Sequence, residues 1–504
     1  MTFGDGIAHR HLLPVDGLEA IPQSEQQHVR IIVSERWASS EAGQLTASCL
    51  VNLLCRQTNL VGRIEINSPE KPVLIRLPNG EDAGGFPNCL HLLAEWAVKG
   101  ATEVSAMRTV NAANYTIFIG DAPAERIPSH GHAIALVGDG WKAWVGDPRF
   151  APRSVSPTSS NPLGPFLAAA LGAGEIFKHC RGIRRGGFLS EVGYSLWSGA
   201  SSPNWCALET GPEVAGIALP SIHLVGVGAV GNALAYTIAQ LGLSQAYLIP
   251  IDDDSYDDTN LNRCLLAGWR DLSHPKIDAV SRALLAAGLD VFPFQGTIKS
   301  YVAAARVGLR AAVAAEVSDL VFKVVASCVD KGTPRQDIQG LSPRLLVGGS
   351  TFDLQAKSNI YTGRPEVACL ACFNPRERDG EKIRALESKL RNMQLEERSR
   401  FLIEKGLDSA AVEEYLSSAK CGLLGEAALR EFATRMPTDF SVGFVSLGAG
   451  LLLASALLRS TVFLESSPHR AEMTTLNFLN GGLLDSVLAA DDACERKCQS
   501  RFSA

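Results

Sequence analysis

Gly226, Gly228 and Gly231 stand in G-x-G-x-x-G spacing directly behind a short apolar run, Ser221 to Val225. Glycines so spaced let a backbone turn close against a phosphate. The helix that follows such a turn brings free N–H groups and about half a positive charge at its N-terminus. Asn232 to Leu241 carries the helix-period apolar residues for that role. A second apolar run, Ala246 to Ile251, ends at Asp252, an acid placed to accept from ribose hydroxyls. Asp253 and Asp254 adjoin it and could trade roles. Glycines also serve tight turns, so the triplet alone decides little; strand, turn, helix, strand and acid in this order point to a nucleotide. Downstream, Asn260 and Arg263 form N-x-x-R, and Lys276 follows a short spacer. Asp330 stands just past the apolar run Asp319 to Ser327, with Arg335 behind it. A nicotinamide dehydrogenase would leave Asn260, Arg263, Lys276 and Asp330 unexplained.

Thiols form the second constellation. Among 12 cysteines, Cys369 and Cys372 make C-x-x-C, and Cys494 and Cys498 make a pair with three residues between. A C-x-x-C alone is ambiguous among redox chemistry, metal and coincidence. Two pairs supply the four thiolates of a tetrahedral zinc and would staple distant parts of one domain; unliganded buried thiols are the alternative. Four protein ligands leave no open coordination position, so such a zinc would be structural. The remaining cysteines are scattered, which suits a reducing cytoplasm better than a disulfide framework.

The elements that must position these residues alternate along the chain. The 504 residues suffice for about two to four domains. A hydrophobic share of 46% with 20% charged residues provides for large soluble cores. The net charge of −6 argues against a general nucleic-acid binder. No basic segment with a following apolar one opens the chain, so no signal peptide is expected. Val442 to Leu458 is almost uncharged, but it is shorter than the about 20 residues of a span. It reads as a buried helix of an α/β core, and no membrane partner is expected.

Residues 1–185 have strands at His28–Ser34, Val61–Asn67 and Tyr115–Gly120, helices at Glu41–Arg56 and Cys89–Val98, a hairpin over Ala133–Gly138 and Lys142–Gly146, and an Ala-rich helix over Asn161–Cys180. That alternation predicts a doubly wound sheet. Its first turn, SERWASSEAGQL, lacks the glycine triplet, and its second strand ends without an acid. This half therefore reads as a degenerate copy of the second. Residues 186–220 read as a linker. The second domain runs over 221–372, with a helix at Lys276–Ala287, a strand at Phe292–Thr297, a helix at Val302–Ala315 and a strand at Arg344–Gly349. A charged helical insertion follows at 373–425, with helices around Lys382–Arg400 and Ala410–Leu416, and 426–504 completes the domain. The fold class expected is α/β, with two Rossmann-like doubly wound domains and a small helical insertion.

The series from Gly226 through Asp330, together with the cysteine pairs, resembles the adenylation domain of the E1-like superfamily. That superfamily holds the thiazole- and molybdopterin-biosynthesis adenylyltransferases and the ubiquitin-activating enzymes. The resemblance covers roughly Ser190 to Cys498 and departs in the three-residue spacing of the second cysteine pair, where two is usual. It implies that Asp252 binds the ribose of ATP, that Asn260, Arg263 and Lys276 contact its phosphates, and that Asp330 holds Mg²⁺. It implies a structural Zn²⁺ on Cys369, Cys372, Cys494 and Cys498. It implies an inactive domain paired with an active one, as in ubiquitin-activating enzymes, and an arginine lent by the N-terminal segment, for which Arg10 is the candidate although HRHLLP matches the family pattern poorly. Cys421, before Gly422-Leu423-Leu424-Gly425, occupies the position of the family cysteine that takes over the carrier's C-terminus or forms a persulfide with it. Cys264 and Cys328 are its rivals. A thiolate suits that transfer, because an acyl adenylate is strongly electrophilic.

The internal pseudo-dimer and the expanded insertion resemble ubiquitin-type enzymes, although a C-terminal ubiquitin-fold domain is not expected here. Similar E1 proteins occur in bacterial ubiquitin-like conjugation operons, some linked to phage defence. The resemblance thus implies a cytoplasmic enzyme that adenylates a ubiquitin-like protein ending in glycine, forms a thioester on Cys421 and passes it to an E2-like protein. A sulfur-carrier adenylyltransferase and a non-catalytic nucleotide-binding partner are the alternatives. A further pairing into a homodimer stays open.

Overall fold

The computed structural model describes the chain apart from residues 1–2, 14, 16–24, 81–83, 107–112, 130, 154, 184–187, 190, 308–321, 362, 365, 373, 375–378, 406, 419–439, 493 and 495–504. Cys421 and Cys498 lie outside the described residues, as does part of the helix expected at Val302–Ala315.

The chain divides into two compact units, the smaller made of Lys331–Thr333 and Pro375–Asp439. The larger unit holds two sheets. The first contains β1 (Gln27–Val33), β2 (Val61–Asn67), β3 (Glu103–Ala106), β4 (Tyr115–Ile119), β5 (His132–Asp139), β6 (Lys142–Gly146) and β7 (Glu191–Ser195), in the order β3-β2-β1-β4-β5-β6-β7. The second contains β8 (Ile222–Val225), β9 (Tyr247–Asp252), β10 (Asp290–Val291), β11 (Phe294–Gln295), β12 (Val324–Ser327), β13 (Leu345–Phe352), β14 (Gln355–Tyr361), β15 (Met473–Asn477) and β16 (Gly482–Ser486). Its order is β10-β9-β8-β12-β13-β14-β15-β16, with β11 also on β9. In each sheet the first five strands are parallel and the next turns back antiparallel. The two doubly wound halves expected from the sequence are thus present.

The register of β1 on β4, Val33 opposite Ile119, corresponds to that of β8 on β12, Val225 opposite Ser327. Helices correspond as well: Glu41–Cys55 follows β1 as Ala229–Ala239 follows β8, and Leu163–Cys180 follows β6 as Gly443–Thr461 follows β14. These four helices pack between the sheets, Gly443–Thr461 touching both Ala229–Ala239 and Leu163–Cys180. Both long ones are rich in small residues, which allows close approach. A Cβ on Gly450 would lie 2.7 Å from Ala233 Cβ, and one on Gly174 3.2 Å from the Phe444 ring. Phe166 stacks on Tyr236 with ring centroids 4.6 Å apart. One continuous apolar core therefore spans both halves. Gly443–Thr461 is long and apolar enough to cross a membrane by composition, but 94% of its apolar window is buried here.

Three local readings are corrected. Glu191–Ser195, inside the stretch expected to be a linker, pairs with β6 as the edge of the first sheet. The strand expected at Phe292–Thr297 is two short pieces, β10 and β11, each of two residues on β9. The helix expected around Lys382–Arg400 breaks into Asp379–Asn392 and Leu395–Glu404. In the smaller unit these pack with Ser409–Ser418 around Leu390, Leu402, Val412 and Leu416. Arg398 forks onto Glu413 there, with bonds of 2.6 and 2.7 Å.

Candidate functional site

β8 ends at Val225, and Gly226 follows with φ +84°, a left-handed conformation that side chains with a Cβ resist. Its N–H donates to Ile251 O at 2.9 Å, tying the turn to β9. Gly231 lies in the first turn of helix Ala229–Ala239, so close to Gly226 that a Cβ there would stand 2.0 Å from Gly226 O. Gly228, the N-cap, has no atom of the described residues within 4 Å of where its Cβ would be. Two glycines are thus required for the turn to close on itself, and the middle one faces open space at a helix N-terminus.

Asp252 closes β9 and turns its carboxylate to that turn. Oδ2 accepts from Val227 N–H at 2.6 Å and Oδ1 from Asp254 N–H at 2.9 Å. Burial holds its pKa above the usual carboxylate value, against these bonds and Lys276. Of the three consecutive aspartates, Asp254 instead pairs with Lys276, Nζ to Oδ2 at 2.9 Å. Burial opposes the lysine's charge, but Asp254 outweighs it and holds the pKa above the ordinary lysine value.

Asn260 is buried, and its Nδ2 donates to Asp257 Oδ1 at 2.6 Å, so its amide is spent on its own turn. Arg263 is 8% exposed. Its NH1 donates to Thr259 O at 2.5 Å and to Asn262 Oδ1 at 2.8 Å, both neutral acceptors. Burial first, then the positive charge of Arg10, pushes its pKa down to about 10, while Asp257 and Asp330 pull it up. Arg10 and Asp330 therefore both lie within electrostatic reach of Arg263. Asp330 is exposed, three residues beyond the end of β12.

Arg10 arrives from the other end of the chain. Helix Phe3–Ala8 packs against Asp258–Asn260, Arg10 O accepts from Ser441 N–H at 3.4 Å, and Asn262 Nδ2 donates to Ser441 O at 2.7 Å. Arg10 Nε is buried with no hydrogen-bond partner among the described residues. A buried guanidinium nitrogen left unpaired is costly, and an anion beside Arg10 would satisfy its Nε and set a counter-charge near Arg263. Asn262 and Ser441, which hold the two arginines, carried no sequence signal that would have singled them out.

The rival thiols do not suit nucleophilic work. Cys264 is fully buried and Cys328 lies against the glycine turn, and burial raises the pKa of both. The accessible surface leaves Cys328 part-exposed, but its Cβ is 3.3 Å from where a Gly231 Cβ would stand.

In the first half the corresponding crevice is filled. Trp37, 1% exposed, lies against Gly120 just past β4, where a Cβ would stand 1.9 Å from the indole. The first half thus has neither the glycine triplet nor the space.

Cys369, Cys372 and Cys494 come together although 125 residues separate the first from the last, with Sγ atoms 3.7 Å apart for Cys369–Cys494 and 3.8 Å for Cys372–Cys369. All three Sγ atoms lie within 4.8 Å of one another. A tetrahedral zinc with Zn–S of about 2.3 Å requires thiolates about 3.8 Å apart, so the three described thiols fit zinc. Bound there, the metal would hold the turn after β14 to the end of the second sheet. Burial raises the pKa of the Cys369 thiol above its ordinary value.

Residues 216–485 match the model of the ThiF family. The chain belongs to the ThiF family. Residues 28–196 match the BilD N-terminal domain. A curated relative of this ThiF-family chain, the uncharacterized protein y4jF of Sinorhizobium fredii, is 25% identical over 356 residues, 69% of this chain and 60% of that protein. The bacterial E1-like protein BilD of Collimonas sp. is 28% identical over 273 residues, 53% of this chain and 55% of that protein. The chain thus spans little more than half the length of these curated relatives. Among solved structures, Escherichia coli MccB, determined with AMPCPP and MccA, aligns over 55% of this chain and 66% of its own at 13% identity and a TM-score of 0.35.

Proposed function

We propose that this ThiF-family chain is a bacterial E1-like enzyme: it adenylates the C-terminus of a ubiquitin-like protein ending in glycine, captures it as a thioester on Cys421 and hands it to an E2-like protein. The observation that supports the reading is the half-buried Arg10 and the buried Arg263, neither hydrogen-bonded to a carboxylate among the described residues, with Asp330 within electrostatic reach of Arg263, in a half whose middle glycine meets no described atom. The family match and the printed description of BilD support it.

In the first step a carboxylate oxygen of the carrier attacks the α-phosphorus of ATP. The bond from that phosphorus to the bridging oxygen breaks, and pyrophosphate leaves with the electron pair. Arg10, Arg263 and the helix N-terminus at Gly228 offset charge on the phosphates, and Asp252 meets the ribose. Asp330 offers the hard oxygen donor that would hold Mg²⁺, whose chemistry there is to offset charge growing on the pyrophosphate. Most of the acceleration then comes from positioning and fixed charge. In the second step the Cys421 thiolate attacks the acyl carbon, and AMP leaves.

ATP–pyrophosphate exchange with a small glycine-ended carrier tests this division. Asp330→Ala should abolish exchange, and Cys421→Ala should spare exchange while removing the reductant-sensitive carrier adduct. A cysteine variant that loses exchange would refute the two-step scheme, and wild-type protein without exchange would favour a non-catalytic nucleotide binder.

A further inference from the structure

Helix Gly332–Gly340 starts two residues after Asp330 and turns three side chains to the cysteine turn. Gln339 Oε1 accepts from Leu370 N–H at 2.8 Å. Gln336 Nε2 donates to Ala371 O at 3.2 Å and to Asn374 O at 2.9 Å. Arg335 reaches both ways: Nε donates to Val329 O at 3.0 Å, and NH1 donates to Asn374 Oδ1 at 2.5 Å. Asn374 Nδ2 in turn donates to Leu370 O and Cys372 O, each at 3.0 Å. A continuous chain of hydrogen bonds therefore runs from the Cys369–Cys372 turn, through Asn374 and Arg335, to the carbonyl immediately before Asp330. A guanidinium holds its donors in one rigid plane, so displacing one end displaces the other. Leu370 also sits in the apolar cluster with Ile338 and Val325, which gives the turn and β12 a shared footing. Asp330 itself is exposed, so its placement depends on the backbone around it.

We propose that Arg335 is a positioning residue that couples metal occupancy of the Cys369, Cys372 and Cys494 cluster to the placement of Asp330, and hence to the Mg²⁺ requirement of nucleotide binding. The coupling rests on the reading of Asp330 as the Mg²⁺ residue. Zinc on the thiolates fixes the turn; the turn fixes Asn374; Arg335 carries that position to Val329. Residues that orient a ligand from outside commonly change metal affinity by about 10- to 100-fold when removed.

The test titrates Mg²⁺ into the full chain with a non-hydrolysable ATP analogue, by calorimetry, before and after zinc is stripped with a chelator. Stripping should raise the free Mg²⁺ for half-maximal binding roughly tenfold in the wild type. Arg335→Met should show that raised requirement with zinc content unchanged, and stripping should add nothing further. Arg335→Lys, whose single ammonium serves one end of the bridge but not both, should behave alike and covers the case in which the methionine variant does not fold. Gln339→Met, which grips the same turn without touching Val329, should keep the wild-type requirement and its response to stripping. A wild-type requirement in either arginine variant, a Gln339→Met shift as large as theirs, or an equal stripping effect in wild type and Arg335→Met overturns the coupling. Asp330→Asn separates the two layers: an unchanged requirement there refutes the Mg²⁺ role of Asp330. A raised one beside a normal Arg335→Met refutes the coupling alone.

Discussion

A methyl group added at residue 231 and one added at residue 228 have opposite consequences, and the contrast is a test at the residue scale. At 231 the new Cβ stands 2.0 Å from a backbone oxygen that cannot give way, whereas at 228 it meets nothing within 4 Å. Gly231→Ala should cost about 1–3 kcal/mol, read as a lower urea midpoint, and should lose nucleotide binding. Gly228→Ala should keep the midpoint but weaken Mg·ATP roughly tenfold or more, because its methyl occupies the space where phosphate must approach the backbone. Equal affinities for Gly228→Ala and wild type would show that the ligand lies elsewhere. These glycines were legible because their spacing follows from backbone sterics. Arg10 was only half legible: its distance from the first strand fitted, but its partners Ser441 and Arg263 are brought near by the fold. Trp37 and Asn374 were illegible, since nothing in a lone tryptophan or asparagine says which crevice it fills or which turn it braces.

The N-terminal segment that carries Arg10 is fastened by a buried histidine. His11 Nε2 meets Thr58 O at 3.0 Å, while Nδ1 is buried with no partner among the described residues. Arg181 lies close by, its NH1 bonded to His11 O. Burial foremost, helped by Arg181, pushes the His11 pKa from 6.5 down to about 4. His223, under Tyr301 and Phe322, is likewise pushed by burial to about 4. The unfolded chain takes up these protons first as the pH falls. Each histidine's share of stability is therefore complete above pH 6.5 and is lost as the pH drops toward 4. The loss amounts to about 3 kcal/mol per residue. Urea midpoints should fall steadily between pH 7 and pH 5, and His11→Gln should flatten that slope; a wild-type midpoint independent of pH across this window would contradict the account. Elements of this kind were read unevenly. Long strands and helices with clear periodicity emerged within a few residues of their observed ends. β7 did not, because five residues in a Gly- and Ser-rich stretch, with only Val192 and Tyr194 as larger apolar side chains, are too few to show a pattern. β10 and β11 are too short to carry a period at all.

Across the whole molecule, two sheets with the same strand order face each other through four small-residue helices and share one apolar core. The resemblance between the halves was visible in the alternation of strands and helices. The structural asymmetry between the two turns was visible in what the first turn lacks, though not in the placement of Trp37 against Gly120. On the proposed function, the first half, with Trp37 against Gly120, serves as a scaffold, and Arg10, within electrostatic reach of Arg263, serves the second half's site. The account therefore requires a single nucleotide per chain, held by the second half. Titrating the intact protein with a non-hydrolysable Mg·ATP analogue measures this directly. One equivalent should bind, Gly231→Ala should bind none, and NADH should not compete. Two equivalents per chain, displacement by NADH, or full binding to Gly231→Ala would contradict the assignment of this site to ATP.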